Sequence, residues 1–285
     1  MSIRDAVGRP SRSDAAGFSL IELMVALVLG LLVAGAALAI LQSNQATYRS
    51  NEGLNRVQEN ARIAFELMSR DIRSAGGSAC SRFSAVEGAS FQATRLNTAP
   101  LAGTATTLRV FAGDDAAYRV TGTTSTSVTL NNQDIADATR AFSIGDMIVL
   151  CNSNRTHVVT ATGVSANTVT FAALPDYPVN DAALLPSVTM ARFRDVNWFV
   201  AASGGGRPGN SLYMSRMGGA AEEVIDGVQA IAFQYLQRGA ANYANVAGDD
   251  VVSVRIILTL SGVGDDGAAI TRQVSNVVNL RARTL

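Results

Sequence analysis

The sequence contains no lysine, because all 23 of its basic residues are arginine, and 23 acidic residues balance them. No block of positive charge is present that could follow the phosphates of a nucleic acid, so we expect no nucleic-acid partner. Histidine occurs once, at His157, and cysteine twice, at Cys80 and Cys151. These residues are too few and too far apart in sequence for a zinc site, and we expect no metal and no other cofactor.

Three pairs of neighbouring carboxylates could be interpreted as calcium ligands or acid/base pairs. No second set of ligands with suitable spacing accompanies them, and each pair lies beside glycine, so solvated turn residues are the better interpretation. The pairs are Asp114 with Asp115, Asp249 with Asp250, and Asp265 with Asp266. His157 lies in an alternating β-like run without a recognisable nucleophile signature, and we interpret it as an ordinary residue of the fold. Nothing in the sequence supports catalysis.

A long apolar run occupies residues 18–41, interrupted only by Glu22. As a helix this run would be about 36 Å long, enough to cross a bilayer core of about 30 Å. Arg4, Arg9 and Arg12 precede it and favour a cytoplasmic N-terminus, which places everything after residue 41 outside.

The beginning of the run does not resemble an ordinary secretory signal. In such a signal the small residues of the cleavage site follow the apolar region, whereas here Ala15, Ala16 and Gly17 precede it. Cleavage at this point would leave the apolar run on the mature protein. An acid within a membrane helix costs a few kcal/mol, so Glu22 should have a function and a partner.

The helical pattern continues beyond the membrane length. Residues 42–73 contain no proline, and the apolar residues recur at steps of three and four as one stripe, namely Leu54, Val57, Ala61, Ala64, Met68 and Ile72. Charged pairs four residues apart are predicted on the other side, namely Glu52 with Arg56, Arg62 with Glu66, and Glu66 with Arg70. One helix is therefore predicted from residue 18 to about residue 73, ending at the "AGG" of residues 75–77, where glycine releases the helix. A simple membrane anchor with a stalk is the alternative.

After about residue 106 the composition favours strands. Predicted strands cover residues 107–111, 127–130, 147–150, 157–162, 168–171, 188–200 and 271–280, with Trp198 and Phe199 expected in the core or, alternatively, exposed for binding. In the strongest strand one face is formed by Val252, Val254, Ile256, Leu258 and Leu260, which we expect to pack on the helix stripe. Residues 118–174 could form a small barrel or hairpin insertion.

The two cysteines have two interpretations. If the region after the apolar run lies in an oxidising compartment, Cys80 and Cys151 form one disulfide, worth about 4 kcal/mol in the chain-entropy model. The alternative is two buried free thiols.

The sequence "GFSLIE" at residues 17–22, followed by a long apolar helix, resembles the signal of type IV prepilins and pseudopilins. This resemblance implies that a prepilin peptidase cuts between Gly17 and Phe18 and methylates the new amine of Phe18. It also implies that Glu22 is the acid that pairs with the Phe18 ammonium of a neighbouring subunit and sets the register between helices. Major pilins usually have a proline that kinks the apolar helix, and none occurs here.

Within that superfamily, three segments resemble PilW-type minor pilins. They are residues 45–80, especially "QENARIAFELMSRDIRSAG" at 58–76 followed shortly by Cys80, "DGVQAIAFQYL" at 226–236 and "SNVVNLRAR" at 275–283. The implied fold is α+β and pilin-like, a long helix packed on an antiparallel β-sheet head. The implied regions are a leader at 1–17, an assembly helix at 18–41, an amphipathic continuation at 42–75 and a periplasmic head at 76–285.

Two non-enzymatic functions follow from this resemblance. One is a structural subunit that primes or caps a type IV pilus together with other minor pilins and the major pilin. The other is an adhesive binding module, displayed at the tip or associated with a tip adhesin. A third possibility, a pseudopilin of a type II secretion system, has the same N-terminus but does not account for the match at residues 45–80.

Overall fold

The computed structural model describes residues 19–80, 84–175, 177, 188–263 and 269–281. Its first element is α1, Leu20–Ser74, a single helix of 55 residues and about 82 Å. The helix runs without a break through Gly30 and Gly35. It ends where Gly76 adopts a left-handed φ of 71°, because glycine enters this region without the cost that a Cβ brings. The single helix and its end at the predicted glycines are confirmed.

The two halves of α1 have different surroundings. The apolar side chains of the first half are exposed, as in Leu31 and Val33. In the second half the predicted stripe is buried, with Ala64, Met68 and Ile72 fully enclosed and Leu54 only partly buried. The helix is therefore covered by the head only along its C-terminal half.

The remaining elements form the head. A short helix, α2, covers Phe91–Asn97, and single 3₁₀ turns cover Ala138–Arg140 and Gly204–Gly206. The described strands are β1 (Ala85–Glu87), β2 (Leu101–Gly103), β3 (Thr107–Thr123), β4 (Ser127–Leu130), β5 (Met147–Cys151), β6 (Arg155–Ser165), β7 (Thr168–Phe171), β8 (Thr189–Ala202), β9 (Asn210–Arg216), β10 (Ala221–Asp226), β11 (Val228–Gln237), β12 (Val251–Val263) and β13 (Ala269–Asn279).

A three-stranded antiparallel sheet in the order β11-β12-β13 packs on the second half of α1. The central strand β12 presents Val254, Ile256, Leu258 and Leu260 to the core, as predicted. Val252 is the exception, because a β-bulge near the start of β12 shifts the register and buries Val251 instead. The predicted packing of this strand on the helix stripe is otherwise confirmed, and so is the α+β class.

The other strands form a ten-stranded sheet in which six strands close into a barrel. The order β8-β5-β6-β7-β4-β3 returns to β8, and every neighbouring pair in this ring is antiparallel. Bulges in β3 and β6 accompany the closure, and at the second of these Gly163 leaves room for Thr170, whose Oγ1 would lie 2.5 Å from an added Cβ. Since β3 and β8 run through both the barrel and the open part of the sheet, the barrel is continuous with the head.

The barrel interior follows the period of two that the sequence shows. In β4 and β7 every second residue is buried, so that Val128, Leu130, Val169 and Phe171 point inward while the intervening threonines and Ser127 do not. Both strands have the predicted bounds. The barrel core is separate from the core beneath α1, because a different set of buried residues lines each one.

Candidate assembly site

The first described residue, Ser19, caps the N-terminus of α1 with its backbone. Its carbonyl oxygen accepts hydrogen bonds from the N–H groups of Glu22 at 3.0 Å and Leu23 at 3.1 Å. The predicted cleavage residues Gly17 and Phe18 lie outside the described residues. The structure therefore describes the chain from the second residue after the expected cut, Ser19, and the helix from the third, Leu20.

Glu22 lies in the first turn of α1 and is exposed among apolar side chains. Its immediate neighbours Ile21 and Leu23 are 70% and 61% exposed. Within the part of the chain that the structure describes, the Glu22 carboxylate makes no hydrogen bond and no ion pair. A carboxylate at this position is favoured by the positive end of the helix dipole, and it is accessible to a group outside its own helix.

The helix that carries Glu22 is long and apolar enough to cross a membrane, by length and composition. None of its most apolar stretch is buried inside the molecule. Exposed apolar surface of this extent is unfavourable in water, so this half of α1 requires lipid or other helices.

A buried ion pair joins the other end of α1 to the head. The Asp71 carboxylate on α1 binds the Arg194 guanidinium of β8, and its second oxygen accepts a hydrogen bond of 2.8 Å from Trp198 Nε1. The Asp71 side chain is 6% exposed, and Trp198 is fully enclosed. Trp198 therefore packs in the core, whereas Phe199 on the opposite face of β8 is half-buried and stacks on Tyr213.

The charged pairs predicted along α1 form only in part. Glu52 and Arg56 pair at 2.9 Å, as predicted. Arg70, however, pairs with Asp115 of β3 at 2.6 Å rather than with Glu66. Asp114 and Asp115 lie within β3, at a register shift between Gly113 and Ala117. The interpretation of this pair as turn residues is therefore wrong. The Arg70–Asp115 pair lies at the same end of the helix as Asp71, but it is exposed and should contribute little to stability.

The structure joins Cys80 and Cys151 by a disulfide with their Cα atoms 6.0 Å apart. Cys80 follows the end of α1, and Cys151 is the last residue of β5 in the barrel. The bond therefore links the segment that leaves the helix to the barrel. The predicted disulfide is confirmed, and the alternative of two free thiols is wrong.

His157 has defined partners in the barrel wall. Its Nδ1 lies 2.7 Å from the Tyr177 hydroxyl, which donates to the Leu150 carbonyl oxygen at 2.9 Å, and its Nε2 lies 3.2 Å from Glu87 Oε2. Burial lowers the pKa of His157, the Glu87 carboxylate opposes this shift, and the Arg155 cation adds to it. Burial also disfavours the charged form of Tyr177, and it therefore raises the pKa of the Tyr177 hydroxyl. The cluster ties β1 and Tyr177 to the barrel.

The residues predicted to function do not form one compact site. The disulfide and Glu22 lie near opposite ends of α1, and Glu22 is about 74 Å along the helix from Asp71. Sequence reasoning missed Asp71, although a signal was present. Asp71 follows Met68 by three residues and Ala64 by seven, so it is a carboxylate on the buried side of the helix.

A family model described as the prokaryotic N-terminal methylation motif matches residues 12–38. This segment includes Gly17, Phe18, Glu22 and much of the apolar half of α1, and it corresponds to the prepilin signal of type IV pilin-like proteins. Comparison with curated proteins and with solved structures finds no match. The motif supports a type IV pilin-like or pseudopilin protein. It implies processing by a prepilin peptidase and assembly with other pilins.

Proposed function

We propose that the protein is a minor pilin of a type IV pilus, a structural subunit that helps to initiate pilus assembly at the inner membrane and then occupies the tip complex. The observation that carries the proposal is the methylation motif at residues 12–38, which leads directly into a 55-residue helix with an exposed apolar half. The resemblance of residues 45–80 and 275–283 to PilW-type sequences directs the proposal to minor pilins.

In this proposal the chain crosses the inner membrane once, with its N-terminus in the cytoplasm and its head in the periplasm. Arg4, Arg9 and Arg12 support this orientation through the positive-inside rule. The disulfide between Cys80 and Cys151 supports it independently, since structural disulfides persist in oxidising compartments such as the bacterial periplasm.

The proposed role of the N-terminus is assembly. A prepilin peptidase cuts after Gly17 and methylates Phe18, and the ammonium of Phe18 pairs with Glu22 of a neighbouring subunit. The accessible Glu22 carboxylate in the first helical turn supports this pairing. Because desolvation offsets much of the attraction, the pair sets the axial register between helices more than it stabilises them.

The head has a structural rather than a catalytic role in this proposal and requires no cofactor. Its partners are other minor pilins, the major pilin and, at the tip, an adhesin. A pseudopilin of a type II secretion system would share the N-terminal half of α1, and the resemblance of the head-proximal helix favours the pilus.

We expect Glu22→Ala to prevent or strongly impair entry into the pilus, while membrane insertion and folding of the head remain normal. Alanine removes the cost of placing a charge in hydrocarbon, so the subunit in the bilayer should be at least as stable. The neighbouring Phe18 ammonium loses its counter-charge. Surface piliation and co-purification of other minor pilins measure the effect.

Glu22→Asp is the matched control, because it keeps the charge on a side chain that is shorter by one methylene. It should assemble better than the alanine variant and less well than the unmodified chain. Normal piliation and normal recovery of partners with Glu22→Ala, at equal expression, would contradict the role assigned to this acid.

A further inference from the structure

The described sheets end in strands whose edges are protected to different degrees. β2 has only three residues, and β10 contains a bulge and receives a hydrogen bond from Asn60 Nδ2 to its Asp226 carbonyl at 3.1 Å. The outer edge of β11 is covered, since Phe233 N–H donates to the Ala105 carbonyl at 2.8 Å and Tyr235 forms a bridge with Ala244. Short strands, bulges and covered edges are among the means by which proteins prevent edge-to-edge association.

β13 has none of these protections among the described residues. It pairs with β12 over all 11 of its residues without a register shift, and it contains no proline. No described strand pairs with its other edge. A long, regular strand of this kind presents a row of unpaired backbone groups to a partner.

The direction of these backbone groups follows from the register. Leu280 N–H donates to the Val252 carbonyl at 3.0 Å. Counting back from Leu280, every second residue of β13 therefore directs its backbone N–H and C=O groups toward β12. The intervening residues direct their N–H and C=O groups to the open edge. These residues are Thr271, Gln273, Ser275, Val277 and Asn279, and all five are exposed.

The two faces beside this edge differ in polarity. Val274 packs against the core beneath α1, and Val278 is buried there. On the outer face Val277 is 49% exposed beside polar residues. Arg272 lies on the same face as Val274, two residues before it, but is exposed. A strand added to this edge would therefore place apolar side chains opposite Val274 and Val278, a polar side chain opposite Arg272, and mixed, mostly polar side chains toward solvent.

The positive charge of the three-stranded sheet indicates which side chains a partner strand should carry. The three strands β11, β12 and β13 contain Arg255 and Arg272 and no acidic residue. Arg255 lies over the Tyr243 ring at 4.1 Å and donates to Gln234, while Arg272 is exposed on the edge strand itself. A carboxylate on the added strand, opposite Arg272, would complement this charge, whereas a cation would be repelled.

We propose that β13 accepts an extended, alternating strand with carboxylate side chains from another protein, which extends the three-stranded sheet by a fourth strand. Backbone hydrogen bonds to the outward-facing residues of β13 supply affinity, and Arg272 supplies the preference for acid. The inference rests on the open edge of β13 and on the charge of Arg272, and it does not depend on the role assigned to Glu22.

The test uses the full chain in detergent micelles and a labelled synthetic peptide of 11 residues, the length of β13. The peptide alternates valine with threonine and has glutamate in place of the two valines at one end, and a matched peptide has lysine at the same two positions. Fluorescence anisotropy at low salt should show the acidic peptide binding about tenfold more tightly, with the difference reduced by added salt. Absence of binding, or equal binding of both peptides, would overturn the proposal.

Two variants locate the binding on β13. Ser275→Pro removes an outward-facing N–H that takes no part in the pairing with β12, so it should weaken peptide binding about tenfold, whereas Ser275→Ala should change it less than about twofold. Arg272→Glu keeps the backbone donors and should reverse the preference toward the lysine peptide. Unchanged selectivity with Arg272→Glu would contradict the proposal. So would self-association of the chain through β13 in sedimentation analysis without peptide binding, because it would assign the edge to a second copy.

Discussion

Asp71→Ala is expected to lower the free energy of unfolding of the head by about 3 kcal/mol. The substitution leaves the Arg194 guanidinium, whose side chain is only 22% exposed, without its counter-charge. It also leaves the enclosed indole N–H of Trp198 without an acceptor. Both groups were desolvated to contact this carboxylate, and an unsatisfied buried polar group retains that desolvation cost.

Urea unfolding of the full chain in detergent micelles measures this effect. Trp198 is the single tryptophan and lies in the core beneath α1, so its fluorescence reports unfolding of the head. Asp71→Asn should be intermediate, because the amide keeps an acceptor for the indole but no charge. Glu52→Ala, which removes the exposed pair with Arg56, should cost less than about 0.5 kcal/mol. Equal effects of Asp71→Ala and Glu52→Ala would contradict the assignment of Asp71 as the residue that fixes the helix to the head.

Loss of the disulfide is expected to have an effect of similar size. The bond closes a loop with a sequence separation of 71 residues, for which the chain-entropy model gives about 4 kcal/mol. Removing it with Cys80→Ala and Cys151→Ala together should lower the free energy of unfolding by about this amount. The native contacts around the barrel should remain, since the cysteines lie at the end of β5 and in the segment after α1.

A reductant provides the matched comparison. Addition of dithiothreitol should lower the urea midpoint of the unmodified chain and should leave the midpoint of the double alanine variant unchanged. If dithiothreitol changes the urea midpoint of neither protein, the cross-link contributes nothing to stability in solution and the expected effect is wrong.

The sequence predicted those elements whose periodicity is strong and local. The stripe from Val57 to Ile72 and the alternation in β4 and β7 identify helix and strands, because each residue's burial there depends on its own position in the element. The end of α1 is also predictable from a local signal, because Gly76 adopts a left-handed conformation that favours glycine. Elements without such a pattern were missed, including the three-residue strands, β9, β10 and α2, whose only marker is the capping contact of Ser90 Oγ with Ala93 N–H.

Tertiary pairings could not be predicted in this way. Arg70 has two possible partners on its own helix surface and on β3, and only the approach of the head selects Asp115. The alternation in β12 predicts Val252 in the core, but a bulge shifts the register there, and the local pattern contains no signal for a bulge. Closure of the barrel likewise depends on β3 pairing with both β4 and β8, contacts between residues distant in sequence.

The mass of the N-terminal peptide of the mature protein tests the central claim most directly. Protein purified from the membrane and from sheared pili should begin at Phe18 and should carry one added methyl group on its amine. The motif at residues 12–38 and the apolar run that follows the small residues both lead to this expectation. Recovery of residues 1–17 on the assembled protein, or an unmethylated Phe18 terminus in pili, would contradict the account.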